Sequence, residues 1–292
     1  MNILSITRHI VLLVMAAILA ACGSSSSGTA TAANESVQTA SYKVEYIPVT
    51  TAAEGKSAFK IRLTNRTTGA IVTGKTVTLT PKMQMTGMSH GTPAGAIMDN
   101  GDGTYSGTIY YLMASNRADG TSMGTWELKF AIDGETATFN PVVAMGMGTT
   151  PRTTLKGITD TISSAMGNPP AQRSYYLFND GISGNTVKLY IAALDDGMMT
   201  QYPAISSGST LHDAMNASWT ANPVTVALST DATNWVTATD DGSGHWSNTN
   251  VTLTAGGKLY VRLSVNGEQK TVDGLAVAGT NGYATFSIAS GM

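Results

Sequence analysis

The chain contains a single cysteine, Cys22, in 292 residues. One thiol excludes an intramolecular disulfide, a paired-cysteine haem attachment, a zinc–thiolate cluster and, in the body of the chain, a cysteine nucleophile. Charge is also scarce. Seventeen basic and 19 acidic residues leave no basic patch for nucleic acid. No glycine-rich stretch follows a phosphate-loop pattern and no G-x-S-x-G is present, while His90, His212 and His245 have no recognisable catalytic partners. The acidic pairs Asp195-Asp196 and Asp240-Asp241 lie in turn sequences, where adjacent carboxylates are badly placed for acid–base work. These absences argue against an enzyme. What the chain has in quantity is Thr, Val, Tyr and Gly, a composition that favours strands and turns over helices.

At the N-terminus, Arg8 and His9 precede an apolar run, IVLLVMAAILAA, too short to span a bilayer comfortably. The run ends in Leu19-Ala20-Ala21-Cys22, followed by Gly23 and four serines. This resembles a bacterial lipoprotein lipobox. The resemblance implies removal of residues 1–21 and lipidation of Cys22. It places the protein on the cell envelope, anchored to the membrane by lipid. Gly23 carries no inner-membrane retention signal of the aspartate kind, so the expected location is the outer membrane, facing the periplasm or the cell surface. Residues 22–40 are small and polar and read as a flexible tether.

Beyond the tether, apolar residues alternate. Tyr42, Val44 and Tyr46 share one face, as do Phe59, Ile61 and Leu63, and Val77 and Leu79. A strand with GTYSGTIYYLM follows the turn sequence DNGDG, and TWELKFAIDGETATF reads as a hairpin turning at Asp133-Gly134. Period-two patterning broken by turn residues predicts an antiparallel, immunoglobulin-like β-sandwich over residues 41–148. Residues 149–173 contain three prolines and read as a linker, with one or two helical turns from Ile158 to Met166. A second β-sandwich is expected over 174–292, with strands at SYYLF, TVKLYIAAL, PVTVALS, GKLYVRLSV and ATFSIA and turns at NDG, DDG, DDGSG and NGE. The predicted fold class is therefore all-β, with two sandwiches.

The segment PKMQMTGMSHGTP, residues 81–93, concentrates methionine and histidine. Two explanations stand side by side. Val77, Leu79, Pro81, Met83 and Met85 share one parity, so Met83 and Met85 continue a buried strand face. Phe139, Pro141, Val143, Met145 and Met147 share a parity in the same way. Yet the strand pattern breaks at Thr86-Gly87, and Met88 and His90 follow it. Both segments end in M-x-M, and such ends meeting at one edge would offer thioethers and an imidazole. Those are soft ligands suited to Cu(I), needing no thiolate.

VTLTPKMQMTGMSHGTP, then DNGDGTYSGTIYYLM, then Met123-Gly124-Thr125-Trp126, together resemble the YtkA-like and FixH-like β-sandwich domains over residues 41–147. The resemblance implies copper handling and, by match to the family's Met/His loop, ligands at Met83, Met85, Met88 and His90. Met145 and Met147 rest on parity alone. A copper-donating or copper-receiving protein is the implied partner besides the membrane. The rival expectation is a structural or adhesive immunoglobulin-like lipoprotein whose methionines are core and whose surface binds protein or carbohydrate. Asp99–Gly103 reads as a turn, since an EF-hand glutamate position falls on Tyr110. His212 and Met215 would share a face if LHDAMNA were helical. Trp219, Trp235 and Trp246 are either core or an aromatic platform for sugar.

Overall fold

The structure, a computed structural model, describes residues 35–163, 169–195 and 201–290. Residues 1–34, with the lipobox, Cys22 and most of the tether, lie outside them. The alternating segments of the first half form β1 (Glu35–Gln38), β2 (Tyr42–Pro48), β3 (Gly55–Asn65), β4 (Val77–Met85), β5 (Met88–Gly91), β6 (Met98–Asp99), β7 (Thr104–Tyr111), β8 (Thr125–Ile132) and β9 (Glu135–Phe139). They build two antiparallel sheets, β1-β2-β3-β7-β6 and β5-β4-β8-β9. Trp126, Leu128, Phe130 and Ile132 of β8 are fully buried at every second position, and Phe59, Ile61 and Leu63 of β3 are their counterparts in the other sheet. Tyr46 stacks on Phe59 and Phe139, and Phe130 meets Phe59 edge-on at 5.5 Å. Burying one such side chain stabilises the fold by roughly 1.5–3 kcal/mol. Asp133 and Gly134 both take positive φ, at 49° and 82°, as a two-residue hairpin between right-twisted strands requires.

The second half contributes β10 (Arg152–Ile162), β11 (Ala171–Ser183), β12 (Thr186–Ala193), β13 (Ser209–His212), β14 (Ser218–Ala221), β15 (Val224–Ser229), β16 (Val236–Thr237), β17 (Thr239–Asp240), β18 (His245–Asn248), β19 (Lys258–Val265), β20 (Glu268–Gln269) and β21 (Ala284–Ser287). Its sheets are β10-β11-β12-β18-β17 and β16-β15-β19-β20, with β21 also paired to β19. They enclose a separate core that includes Tyr175, Leu177, Leu189, Ile191, Val226, Leu263 and Phe286. Among the described residues the chain is all-β, as its patterning predicts.

Several expectations are corrected. The tether's end, Glu35–Gln38, is an edge strand paired with β2. Much of the expected linker at 149–173 is strand β10, which pairs with β11 through a bulge. Ile158–Ile162 is therefore extended rather than helical, and 164–168 lie outside the described residues. The NDG at Asn179–Gly181 is a bulge within β11, while DDGSG and NGE do turn between strands. LHDAMNA is strand β13 followed by a turn in which Asn216 has positive φ, so His212 and Met215 share no helix face.

The described residues belong to one compact unit. A third apolar cluster joins the two cores: Tyr110 and Leu112 from the end of β7 pack with Phe178, Tyr190 and Ala192. Tyr110 stacks on Tyr190 at 4.0 Å with planes 9° apart. Beside them Asp180, in the β11 bulge, accepts from Lys56 Nζ at 2.8 Å and Tyr110 Oη at 2.9 Å, and faces His245 Nδ1 at 3.2 Å. Burial pushes the Asp180 carboxyl up, but His245, Lys56 and Tyr110 hold it down to about 2. The bond to Asp180 raises His245 in turn.

At the far side of the second sandwich, Arg173 is fully buried. It bonds Asp160 at 2.8 Å, Asp195 at 2.9 Å and the carbonyls of Leu194 and His212. Lys270, also buried, bonds Glu268 at 2.7 Å. Each charge has a hydrogen-bonded counter-charge, the condition under which burial of ions is tolerated.

Candidate metal centre

The β4–β5 hairpin decides which way the methionines point. Its two-residue turn, Thr86-Gly87, sets Met85 opposite Met88 and Met83 opposite His90. On the other side of β4, Met83 pairs with Trp126 of β8. Cross-strand partners share a sheet face, as do residues two apart on one strand. Hence Met83, Met85, Met88, His90 and Trp126 all project from the same face, the one that meets the core. Gly124, just before β8, completes the arrangement. A Cβ there would lie 3.0 Å from Met83 Cε, 3.0 Å from Met85 Cγ and 2.5 Å from the Gln84 carbonyl, so its missing side chain is the space the two thioethers use.

Exposure grades outward along this face. Met83 is 0% exposed, Met85 and His90 are half-buried, and Met88 is 64% exposed at the hairpin tip. The packing explanation is therefore right for Met83, which belongs to the core, and does not extend to Met88.

The imidazole of His90 carries the chemistry. Its Nδ1 lies 2.7 Å from the Gly91 carbonyl, an acceptor only, so Nδ1 carries the proton. In the neutral ring Nε2 keeps a lone pair facing Met113 Sδ, 3.1 Å away, whereas in the imidazolium Nε2–H donates to that sulfur. Thioether sulfur is itself an acceptor, so in the neutral tautomer no proton lies between the two atoms. Trp126 holds the pair in place. Its ring meets the His90 ring edge-on at 5.6 Å, and its Nε1–H donates to the Met113 carbonyl at 3.1 Å. A backbone carbonyl holding one ring N–H, which leaves the other nitrogen available, is how metal-binding histidines are commonly oriented. Among the described residues no group of three or more His, Cys, Asp or Glu side chains is placed to hold a metal.

Met113 was not among the sequence candidates: parity marks the face it lies on but not the residue it meets in the other sheet. Tyr105, Gly107, Ile109, Tyr111 and Met113 share the parity of the buried face of β7. Met123, partly buried beside Gly124, packs against the same core. Met145 and Met147 do not continue a strand. β9 ends at Phe139, Val143 is the last buried residue of that series, and the two methionines are 46% and 92% exposed. Pro141 explains the break, since proline has no N–H for a ladder.

In the second sandwich His212 and His245 are each tied to an aspartate, at 2.7 Å and 3.2 Å, and Met215 is almost fully exposed. Met198 and Met199 lie outside the described residues. The tryptophans form no common platform. Trp246 is buried with its Nε1 on the Ile205 carbonyl, Trp219 packs on the core under Arg173, and Trp235 lies beneath Arg262.

No family model and no curated protein matches the chain. Among solved structures it is similar to the Escherichia coli adhesin FdeC, at 12% identity over 87% of this chain and 66% of that one, with a TM-score of 0.26. It is also similar to the Yersinia pseudotuberculosis adhesin InvE, at 12% identity over 84% and 58% with a TM-score of 0.27, and to domains 4–9 of the surface-layer protein SbsC, at 15% over 88% and 32% with a TM-score of 0.24. The chain thus spans about two thirds or less of the length of these three. At such scores the likeness carries no argument about function. The immunoglobulin-like reading stands on the chain's own paired antiparallel sheets.

Proposed function

We propose that this chain is a lipid-anchored lipoprotein of the bacterial envelope that binds Cu(I), buffers it or exchanges it with a partner protein, and catalyses no reaction. The observation that carries the reading is the Nε2 lone pair of His90 facing the Met113 sulfur at 3.1 Å. In the neutral tautomer these are two acceptors without a donor, and a soft cation seated to the side of the pair, rather than on the line between the two atoms, would satisfy both. His90 and Met113 would be the principal ligands, Met85 and Met83 the thioethers behind them, and Met88 the exposed thioether through which an ion enters or leaves. Neutral, soft ligands favour the reduced ion and function without thiolate. Trp126 closes the inner side. Met145 and Met147 play no part in this version of the site.

A second reading is favoured by one observation, the complete burial of Met83. In it the methionines are packing, and the two joined sandwiches serve a structural or adhesive role. Titration of the lipid-free protein with Cu(I) under reducing conditions, against a competing chelator, separates the two. The metal reading expects tight binding of one equivalent and a melting temperature that rises with free Cu(I) by mass action. Replacing Met88 and His90 together should abolish both effects. A wild type that binds no Cu(I), or a double variant that binds it equally well, leaves the structural reading.

A further inference from the structure

The outer face of the second sandwich presents a different set of groups. On β19, Lys258, Tyr260 and Arg262 alternate with the buried Leu259, Val261 and Leu263, so all three stand on the solvent side of one strand. Their cross-strand neighbours are Ser287 beside Lys258, Thr285 and Ser229 beside Tyr260, and Ala227 beside Arg262. No carboxylate occupies any of those positions. Asp231, in the turn after β15, is engaged by Ser229, Thr233 and Asn234. Among the described residues neither Lys258 nor Arg262 has an ion-pair partner. Arg262 Cζ lies over the Trp235 ring at 3.8 Å, with its Nε out of contact with water and without a hydrogen-bond partner.

Tyr283 joins the two aromatic neighbours. Its ring meets Tyr260 edge-on at 5.1 Å and 71°, and Trp235 at 5.9 Å. The Tyr260–Tyr283 corner opens into a hollow of about 420 Å³, which Lys258 also lines. The remaining polar lining is hydroxyl: Thr153, Thr280 and Thr285. Among the described residues neither these hydroxyls nor the two phenols have a hydrogen-bond partner within the protein. The hollow therefore combines unspent hydroxyl groups, two angled tyrosine rings and the unpaired Lys258, and Arg262 stands outside it on the same face of β19.

We infer that this face binds an acidic polysaccharide, a chain of sugars bearing carboxylates. Hydroxyl and phenol groups match sugar hydroxyls, and angled rings take the apolar C–H faces of a pyranose. Lys258 and Arg262 are four residues apart on an extended strand, roughly 13 Å, which suits a repeating anionic chain better than one small anion. Two cations are few for nucleic acid, whose affinity follows the number of phosphates neutralised. Edge-on tyrosines also offer no parallel surfaces for successive bases. The inference rests on the second sandwich alone and is independent of the metal centre.

The test is calorimetric titration of the full chain with oligogalacturonate of defined length. The comparison ligands are the same oligomer with its carboxyls methyl-esterified, polyglutamate and oligo-dT. The acidic glycan should bind, and each comparison ligand should bind at least tenfold more weakly. Lys258→Gln with Arg262→Gln should weaken glycan binding at least tenfold, and Tyr283→Ala should do the same, with melting temperatures near wild type. Lys258→Gln alone, at an exposed position, should still lose several-fold if the Arg262 change perturbs folding. Absence of oligogalacturonate binding would overturn the inference. So would equal binding of polyglutamate or oligo-dT, or variants that bind as the wild type does.

Discussion

Replacing Asp180 with asparagine should change how stability depends on pH, because this carboxylate joins the two sandwiches. In the folded protein it is held down to about 2, against an ordinary aspartate value of about 3.9. Its contribution is therefore present above about pH 4 and is lost as pH falls through the folded value. At about 1.4 kcal/mol per unit, it amounts to between about 2 and 3 kcal/mol for a side chain only 10% exposed. His245 acts in the opposite sense. Its folded value is raised, so its contribution is full below about 6.5 and is lost as pH rises from there through the higher folded value. In Asp180→Asn both limbs lose their source. The variant should be less stable by between about 2 and 3 kcal/mol near pH 5.5, with a shallower acid limb and a weaker decline above neutrality. Urea unfolding followed by tryptophan fluorescence from pH 2.5 to 8 measures this. Glu268, which Lys270 and Thr159 help hold down to about 2 against the opposing effect of burial, is present in both proteins and cancels in the difference. Asp133→Asn, at a solvent-screened pair with Lys75, is the control and should change stability far less than Asp180→Asn does. If Asp180→Asn keeps the wild-type pH profile, the clasp does not join the sandwiches as described.

Met83→Ala should cost about 2–5 kcal/mol in chemical unfolding, the range for emptying a closed core site, whereas Met88→Ala should stay within about 0.5 kcal/mol. Arg173→Met should cost about 3–5 kcal/mol, since it leaves Asp160 and Asp195 buried without their common counter-charge. Cys22→Ser should leave an unprocessed precursor on a gel, while release of a normally sized, lipid-free protein would defeat the lipoprotein reading.

The strands were legible wherever one face is apolar throughout. Phe59, Ile61 and Leu63, or Trp126, Leu128, Phe130 and Ile132, leave an apolar period of two. β10 was not legible for a physical reason. Within it only Leu155, Gly157 and Ile162 are buried, a bulge follows Lys156, and inward-facing Asp160 is satisfied by Arg173 rather than by apolar packing. Polarity there signals a buried ion pair, which a sequence pattern reads as a linker. The shared face of Met83, Met85, Met88 and His90 in the proposed site was legible because they lie close together in sequence and their faces follow from parity. Met113 was not, because it arrives from the end of β7 in the opposite sheet, and pairing between sheets leaves no local trace. Met145 and Met147 were misread because parity was carried past Pro141, where the strand had already ended.

The most direct test of the central claim compares Cu(I) affinity in three single variants of the full chain, His90→Gln, Met113→Leu and Met147→Leu, by chelator competition under reducing conditions. His90→Gln and Met113→Leu should each weaken binding at least tenfold, while Met147→Leu, at a position 92% exposed, should bind as the wild type does. A Met113→Leu protein with wild-type affinity would contradict the account, because the His90–Met113 contact would then have no part in holding the ion.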